Sequence, residues 1–157
     1  MTRIPAISAV LAAAALSGCA DPTGPAAALA HNRDLWNAQA LADYEFVLRR
    51  ACFCLSEALE PVQVRVEAGA VAAVTDTLGQ PLDSLDVAHF FTITIDSLFG
   101  VVERAIDVHA HQISVRYHPQ FGYPESLFID YDAAMADEEM GYSAALLVPL
   151  SAHLRTR

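Results

Sequence analysis

The sequence predicts a single α+β domain, a mostly antiparallel sheet of about six strands with two helices packed on one face. Three observations carry that prediction. Several segments alternate apolar and polar residues, the period of a half-buried strand. Ile95, Leu98, Phe99, Val102 and Ile106 recur at helical spacing and form one apolar stripe. Short connections between consecutive strands favour antiparallel pairing. The element order is α-β-β-β-α-β-β-β.

Asn32 or Asp34 caps a first helix that runs to about Ala42, with Leu35, Trp36 and Leu41 as its apolar contacts. Tyr44, Phe46 and Leu48 then alternate with Glu45 and Arg49, a strand leading into Cys52-Phe53-Cys54. Val62, Val64 and Val66 alternate with Gln63, Arg65 and Glu67 in a second strand. Ala68-Gly69 makes the turn, since glycine takes positive φ without steric cost. Val71 to Val74 returns as a third strand and brings Val71 near Val66. Residues 76–92, broken by Gly79, Pro81 and several aspartates, read as a loop. Thr94 caps the second helix, and Asp96 in its first turn complements the helix dipole. Gly100 inside that helix costs about 1 kcal/mol relative to alanine and suggests close packing on the sheet. Ile113, Val115 and Tyr117 form a strand face, Pro119 to Pro124 a loop, Leu127 and Ile129 a returning strand, and Tyr142 to Val148 the last strand.

The leader divides the chain further. Arg3 is a positive n-region, and Ile4 to Leu16 is an apolar run shorter than the roughly 20 residues that span a bilayer. Leu16-Ser17-Gly18-Cys19 resembles the bacterial lipobox, in which the cysteine thiol is acylated and the chain is cut before it. The expected organisation is therefore a lipoprotein signal peptide over 1–18, a lipid-anchored tether over 19–33, the α+β domain over 34–150 and a polar tail over 151–157. Diacylglycerol and a fatty acyl group on Cys19 are the only attached groups this implies, and several chains anchor stably where one does not. As a flexible coil the tether reaches roughly 20 Å, which keeps the domain beside the membrane. The expected address is the bacterial cell envelope, facing the periplasm or the exterior. Ala20 separates Asp21 from the cysteine, which leans toward the outer membrane where there is one.

Formal net charge is −10, and the chain contains no lysine, so its positive charge is arginine plus any protonated histidine. A chain this acidic repels DNA, RNA and anionic lipid surfaces, so no nucleic-acid partner is expected. No Gly-x-Ser-x-Gly elbow, phosphate loop, dinucleotide-binding glycine motif or His-Glu-x-x-His helix occurs. Enzymatic activity is not expected.

The residues from Trp36 through the Tyr44-Glu45-Phe46 strand, Cys52-Phe53-Cys54, Gly69 and the Thr94 to Phe99 helix start form a recognisable pattern. Tyr117-His118-Pro119, Gly122-Tyr123-Pro124, Ile129-Asp130, Asp137-Glu138-Glu139 and Tyr142 continue it. Over residues 36–148 it resembles a bacterial family of secreted proteins and lipoproteins catalogued only as a domain of unknown function. His118 stands where the family usually carries aspartate. The resemblance implies no reaction, ligand or partner.

Four constellations could carry chemistry. Cys52 and Cys54 share a face in an extended strand, with Cα atoms about 6.6–6.8 Å apart, the upper edge of the disulfide range. A structural disulfide, buried thiols, and a redox or metal-binding pair are the readings open to them. His109 and His111 also share a face, and with Cys52 and Cys54 they would make a soft-metal set for zinc or copper if the fold joined the pairs. The acidic run Asp130, Asp132, Asp137, Glu138 and Glu139 fails the calcium-loop pattern, because Met135 holds the glycine position and Gly141 the final ligand position. It reads as a solvated turn. Phe121 and Tyr123 sit on a proline-bounded loop that either presents a contact surface or folds back onto the core. The expected function is a non-catalytic binding or structural module whose partners are the membrane, through its anchor, and an unidentified envelope protein or glycan. The alternatives are a periplasmic metal-binding or thiol-redox protein using the cysteine pair, and a proteinaceous inhibitor presenting the aromatic loop.

Overall fold

The computed structural model describes residues 23–54, 58–82, 90–135 and 137–150. The expected signal peptide over 1–18, Cys19, residues 83–89 of the expected loop and the tail over 151–157 lie outside the described residues. Among the described residues the elements run α1 (Pro25–Ala38), β1 (Tyr44–Cys52), β2 (Val62–Glu67), β3 (Ala70–Asp76), α2 (Ile95–Asp107), β4 (Gln112–Tyr117), β5 (Pro124–Asp130) and β6 (Met140–Pro149). This is the expected α+β order. The strands form one antiparallel sheet in the order β3-β2-β1-β6-β5-β4, so β1 in the first half of the chain pairs with the last strand.

The alternation in the sequence is what fixes the faces. Tyr44, Phe46 and Leu48 of β1, the valines of β2, and Leu127 and Ile129 of β5 are buried on one face against α1 and α2. Their neighbours Glu45, Arg49, Gln63, Arg65 and Glu67 lie on the other, which no described helix covers. Val66 pairs with Val71 as expected, and Ala68 and Gly69 both take positive φ in the turn between them. That turn is tied to the start of β1, where the Asp43 carboxylate accepts from the Ala68 N–H at 2.7 Å.

Two sequence readings need correction. Helix α1 begins at Pro25 rather than at Asn32 or Asp34 and ends at Ala38 rather than near Ala42, so residues 25–33 are helical and not a flexible tether. Gly24 is the N-cap and Pro25 occupies the first helical position, where its fixed φ fits and its missing N–H costs nothing. The alanine run that follows supplies propensity without amphipathicity, and Leu29 and Trp36 alone are fully buried on this helix. Gly100 does not pack on the sheet. It is exposed, and a Cβ built there meets nothing within 4 Å. Gly100→Ala is therefore expected to stabilise the domain by about 0.5–1 kcal/mol, because the backbone entropy penalty of glycine goes and no contact is disturbed. A shift of the urea midpoint upward at unchanged slope is the check.

The N-terminus of α2 is fastened from two sides. Thr94 and Ser97 form a reciprocal capping box. The Ile95 N–H donates to the Tyr44 hydroxyl of β1 at 3.1 Å, and the Trp36 indole N–H of α1 donates to Asp96 at 3.3 Å. Further along, the Arg33 guanidinium of α1 meets both carboxylate oxygens of Glu103 at 3.2 and 3.0 Å. These hydrogen bonds and the charge of Arg33 hold the Glu103 carboxyl below its usual range.

Burial pushes the Tyr44 and Tyr117 phenols up to about 12 from an ordinary value of 10.0. Between these values the folded state keeps protons that the unfolded chain has lost, so stability falls as pH rises. The contribution is intact below pH 10. A urea midpoint that declines from about pH 10 to about pH 12, with a shallower decline in Tyr44→Phe, is the expected result; equal declines in both proteins would contradict it.

Candidate functional site

Antiparallel register places side chains on the open face in cross-strand rows. Arg49 of β1 faces Ser143 of β6, Ser143 faces Ser126 of β5, and Ser126 faces Arg116 of β4. The adjacent row runs Ala51, Gly141, Phe128 and Ser114 over the same strands. Gly141 has no side chain between Ala51 and Phe128, and a Cβ there would come within 3.3 Å of the Ala51 Cβ. A surface groove of about 470 Å³ runs along these strands, with a lining that includes Arg49, Ala51, Leu59, Ser126, Phe128 and Ser143. The Phe128 ring is 40 % exposed along it. Arg49 makes no ion pair among the described residues. Arg50, one residue on, turns to the opposite face and lies over the Phe90 and Tyr142 rings at 5.2 and 5.6 Å.

Cys52 and Cys54 end β1 beside this groove. Their Cα atoms are 5.3 Å apart and the sulfurs are bonded as a disulfide. The separation is shorter than a continuous strand gives, because β1 stops at Cys52 and the chain bends through Phe53 and Cys54. The bend carries Phe53 outward, where it is 82 % exposed.

The other candidate residues are not assembled into a site. His109 lies just beyond α2 with φ of 56°, a left-handed helix-end conformation, and His111 is exposed just before β4. In the sheet order β4 is three strands from β1, roughly 14 Å at the usual strand spacing. The histidines and the cysteine pair are thus kept apart. Among the described residues, no group of three or more His, Cys, Asp or Glu side chains is placed to hold a metal ion. The acidic turn satisfies its own backbone: Glu138 accepts from the Asp132 N–H at 2.6 Å, and Asp132 accepts from the Ala134 N–H at 2.9 Å.

The aromatic loop folds back. Tyr123 is 3 % exposed and packs edge-on to Trp36 with centroids 6.3 Å apart, while Phe121 is half-buried against the His118 ring at 4.9 Å. Neither residue is presented as an extended contact loop. Burial raises the Tyr123 phenol, with the nearby Glu125 carboxylate adding to it. His118 explains the loop's shape: its Nδ1 accepts from the backbone N–H of Gln120 at 3.2 Å and of Phe121 at 3.1 Å. An aspartate carboxylate makes the same kind of turn, so the histidine replaces the expected aspartate as an acceptor. His118→Asp is expected to melt within a degree or two of the parent, and His118→Ala to lose about 1 kcal/mol. Equal losses in thermal melts of both variants would contradict the acceptor role.

The groove itself was not visible in the sequence. Its signal is the alignment of Arg49, Ser143, Ser126 and Gly141, which depends on register across strands far apart in the chain. A family described as a family of unknown function (DUF6174) matches residues 28–149. No curated protein and no solved structure matches the chain.

Proposed function

From the premise that the chain belongs to the DUF6174 family of unknown function, we propose that it is a non-catalytic binding module held at a bacterial envelope membrane by lipid on Cys19. The observation that carries the binding reading is the open face of the sheet: α1 and α2 pack on one side, no described helix covers the other, and that side carries a groove of about 470 Å³. Leu16-Ser17-Gly18-Cys19 supports the anchor, and α1 starts close enough behind it to hold the domain at the lipid surface. The bound partner is an envelope component, engaged through the face bearing Phe128, Ser126 and Ser143.

The test is a photo-reactive residue placed in living cells at Ser143, on the open face, or at Gly100, on the exposed side of α2. Crosslinks formed from Ser143 and absent from Gly100 support the reading; crosslinks from neither, or equally from both, overturn it. Cys19→Ser is expected to move the protein out of the membrane fraction, and a variant that stays there removes the anchor.

A second reading rests on the half-buried disulfide and the exposed Phe53 between its cysteines. A thiol-redox protein would show a bridge opened by mild reductant and exchanged with a dithiol protein. An inert bridge in alkylation and intact-mass measurements leaves the binding module.

A further inference from the structure

We infer that the groove takes a small amphipathic anion, with one carboxylate or phosphate head and an apolar body; the inference rests on the binding reading above and names the class of ligand. Charge is the first argument. The chain is strongly acidic, at −10, yet the groove is lined by Arg49 on the open face and by no Asp or Glu. Arg33, Arg65 and Arg116 each have a carboxylate partner, whereas Arg49 has none among the described residues. An unpaired guanidinium on a solvated face, bordered by hydroxyls, is suited to a forked carboxylate or phosphate.

Register supplies the second argument. Ser143 lies directly across from Arg49, and Ser126 directly across from Ser143. With strands about 4.8 Å apart, the guanidinium and two hydroxyls form a row about 10 Å long that one head group can span. The body of the ligand has its own place in the next row. Gly141 adds no side chain to that row, and the exposed Phe128 ring and half-buried Leu59 give it apolar walls. The volume falls within the roughly 300–1,000 Å³ typical of small-molecule sites. The overall negative charge keeps polyanions away, so the groove selects a ligand with a single anionic head.

The test uses the full chain in nanodiscs of neutral lipid, titrated with 3-phenylpropanoate, 3-phenylpropyl phosphate and 3-phenylpropylamine and followed by ligand-observed NMR. Saturable binding of at least one anion, with no binding of the amine, is expected. Arg49→Gln should weaken it about tenfold or more, the effect of losing a charge-assisted hydrogen bond. Ser143→Glu, which puts a carboxylate into the row, should abolish it. Thermal melts of both variants confirm that they fold. Preference between the first two probes tells a carboxylate ligand from a phosphate. Binding of the amine as tight as that of the anions, or anion binding unchanged in Arg49→Gln, overturns the inference. Failure of both anions to bind also overturns it, while crosslinking from Ser143 would in that case leave the binding module standing; loss of both would remove the two together.

Discussion

Gly122→Ala is expected to cost about 3 kcal/mol or more, the sum of left-handed backbone strain and overpacking. Gly122 holds φ of +76° at the end of the His118 turn, where an L side chain is strained. The space beside it is also occupied. A Cβ there would fall inside contact distance of the Asn32 carbonyl oxygen and 2.7 Å from the Leu35 Cβ. One of these neighbours is helix backbone, so the loop or α1 must move. Gly69→Ala separates the two causes, because Gly69 has the same φ of +76° and nothing within 4 Å of its would-be Cβ. Its loss should be nearer 1 kcal/mol, the strain alone. Urea unfolding of the two variants, followed by Trp36 fluorescence, gives the comparison. Equal losses would mean that α1 does not bear on the loop.

Trp36→Ala should be the most damaging substitution in α1, at about 3–5 kcal/mol for removing a large buried aromatic. The ring is 4 % exposed. It meets Tyr44 edge-on at 5.4 Å and Tyr123 at 6.3 Å, and its indole N–H reaches Asp96 of α2. Thus one side chain joins α1 to β1, to the loop before β5 and to the start of α2. Trp36→Phe keeps most of the packing and loses the hydrogen bond, so about 1 kcal/mol or somewhat more is expected. Against a usual domain stability of roughly 5–15 kcal/mol, the alanine variant stands near unfolding. A far smaller loss would show that α1 is dispensable to the core. Circular dichroism during denaturation checks both variants.

Local patterns explain why most of the architecture could be read from the chain. In β2 each valine is followed by a polar residue, and in β1 the buried Tyr44, Phe46 and Leu48 recur at every second position; burial follows that period in both strands. In α2 the stripe from Ile95 to Val102 and the Thr94 cap agree with each other. The first turns of α1 escaped because Pro25 and the alanines resemble linker composition, and their helical character lies in propensity and in proline's place at the first turn. Gly100 misled because a glycine opposite the apolar stripe faces solvent, not the sheet. The cysteine pair was placed at the edge of bonding distance only while the strand was assumed to continue past Cys52. For the loop, sequence left Tyr123 equally able to face out or in, and Trp36 and Tyr44 supply the pocket that holds it in. The groove lay beyond reach for a different reason. Arg49 and Ser143 are neighbours only through the β1–β6 pairing, and no spacing within either strand announces it.

That pairing has a bearing on when the chain can fold. Strands β2 and β3 form a local hairpin and β4 and β5 another, but the centre of the sheet joins Tyr44–Cys52 to Met140–Pro149. Until β6 is available, β1 lacks one of its two neighbours, and β5 has no connection to the other half of the sheet. Contacts so distant in sequence are slow to form, since the loop between them must close before they stabilise anything. For a chain made from its N-terminus, this keystone strand arrives last. The topology thus withholds the finished sheet until almost the whole chain is present.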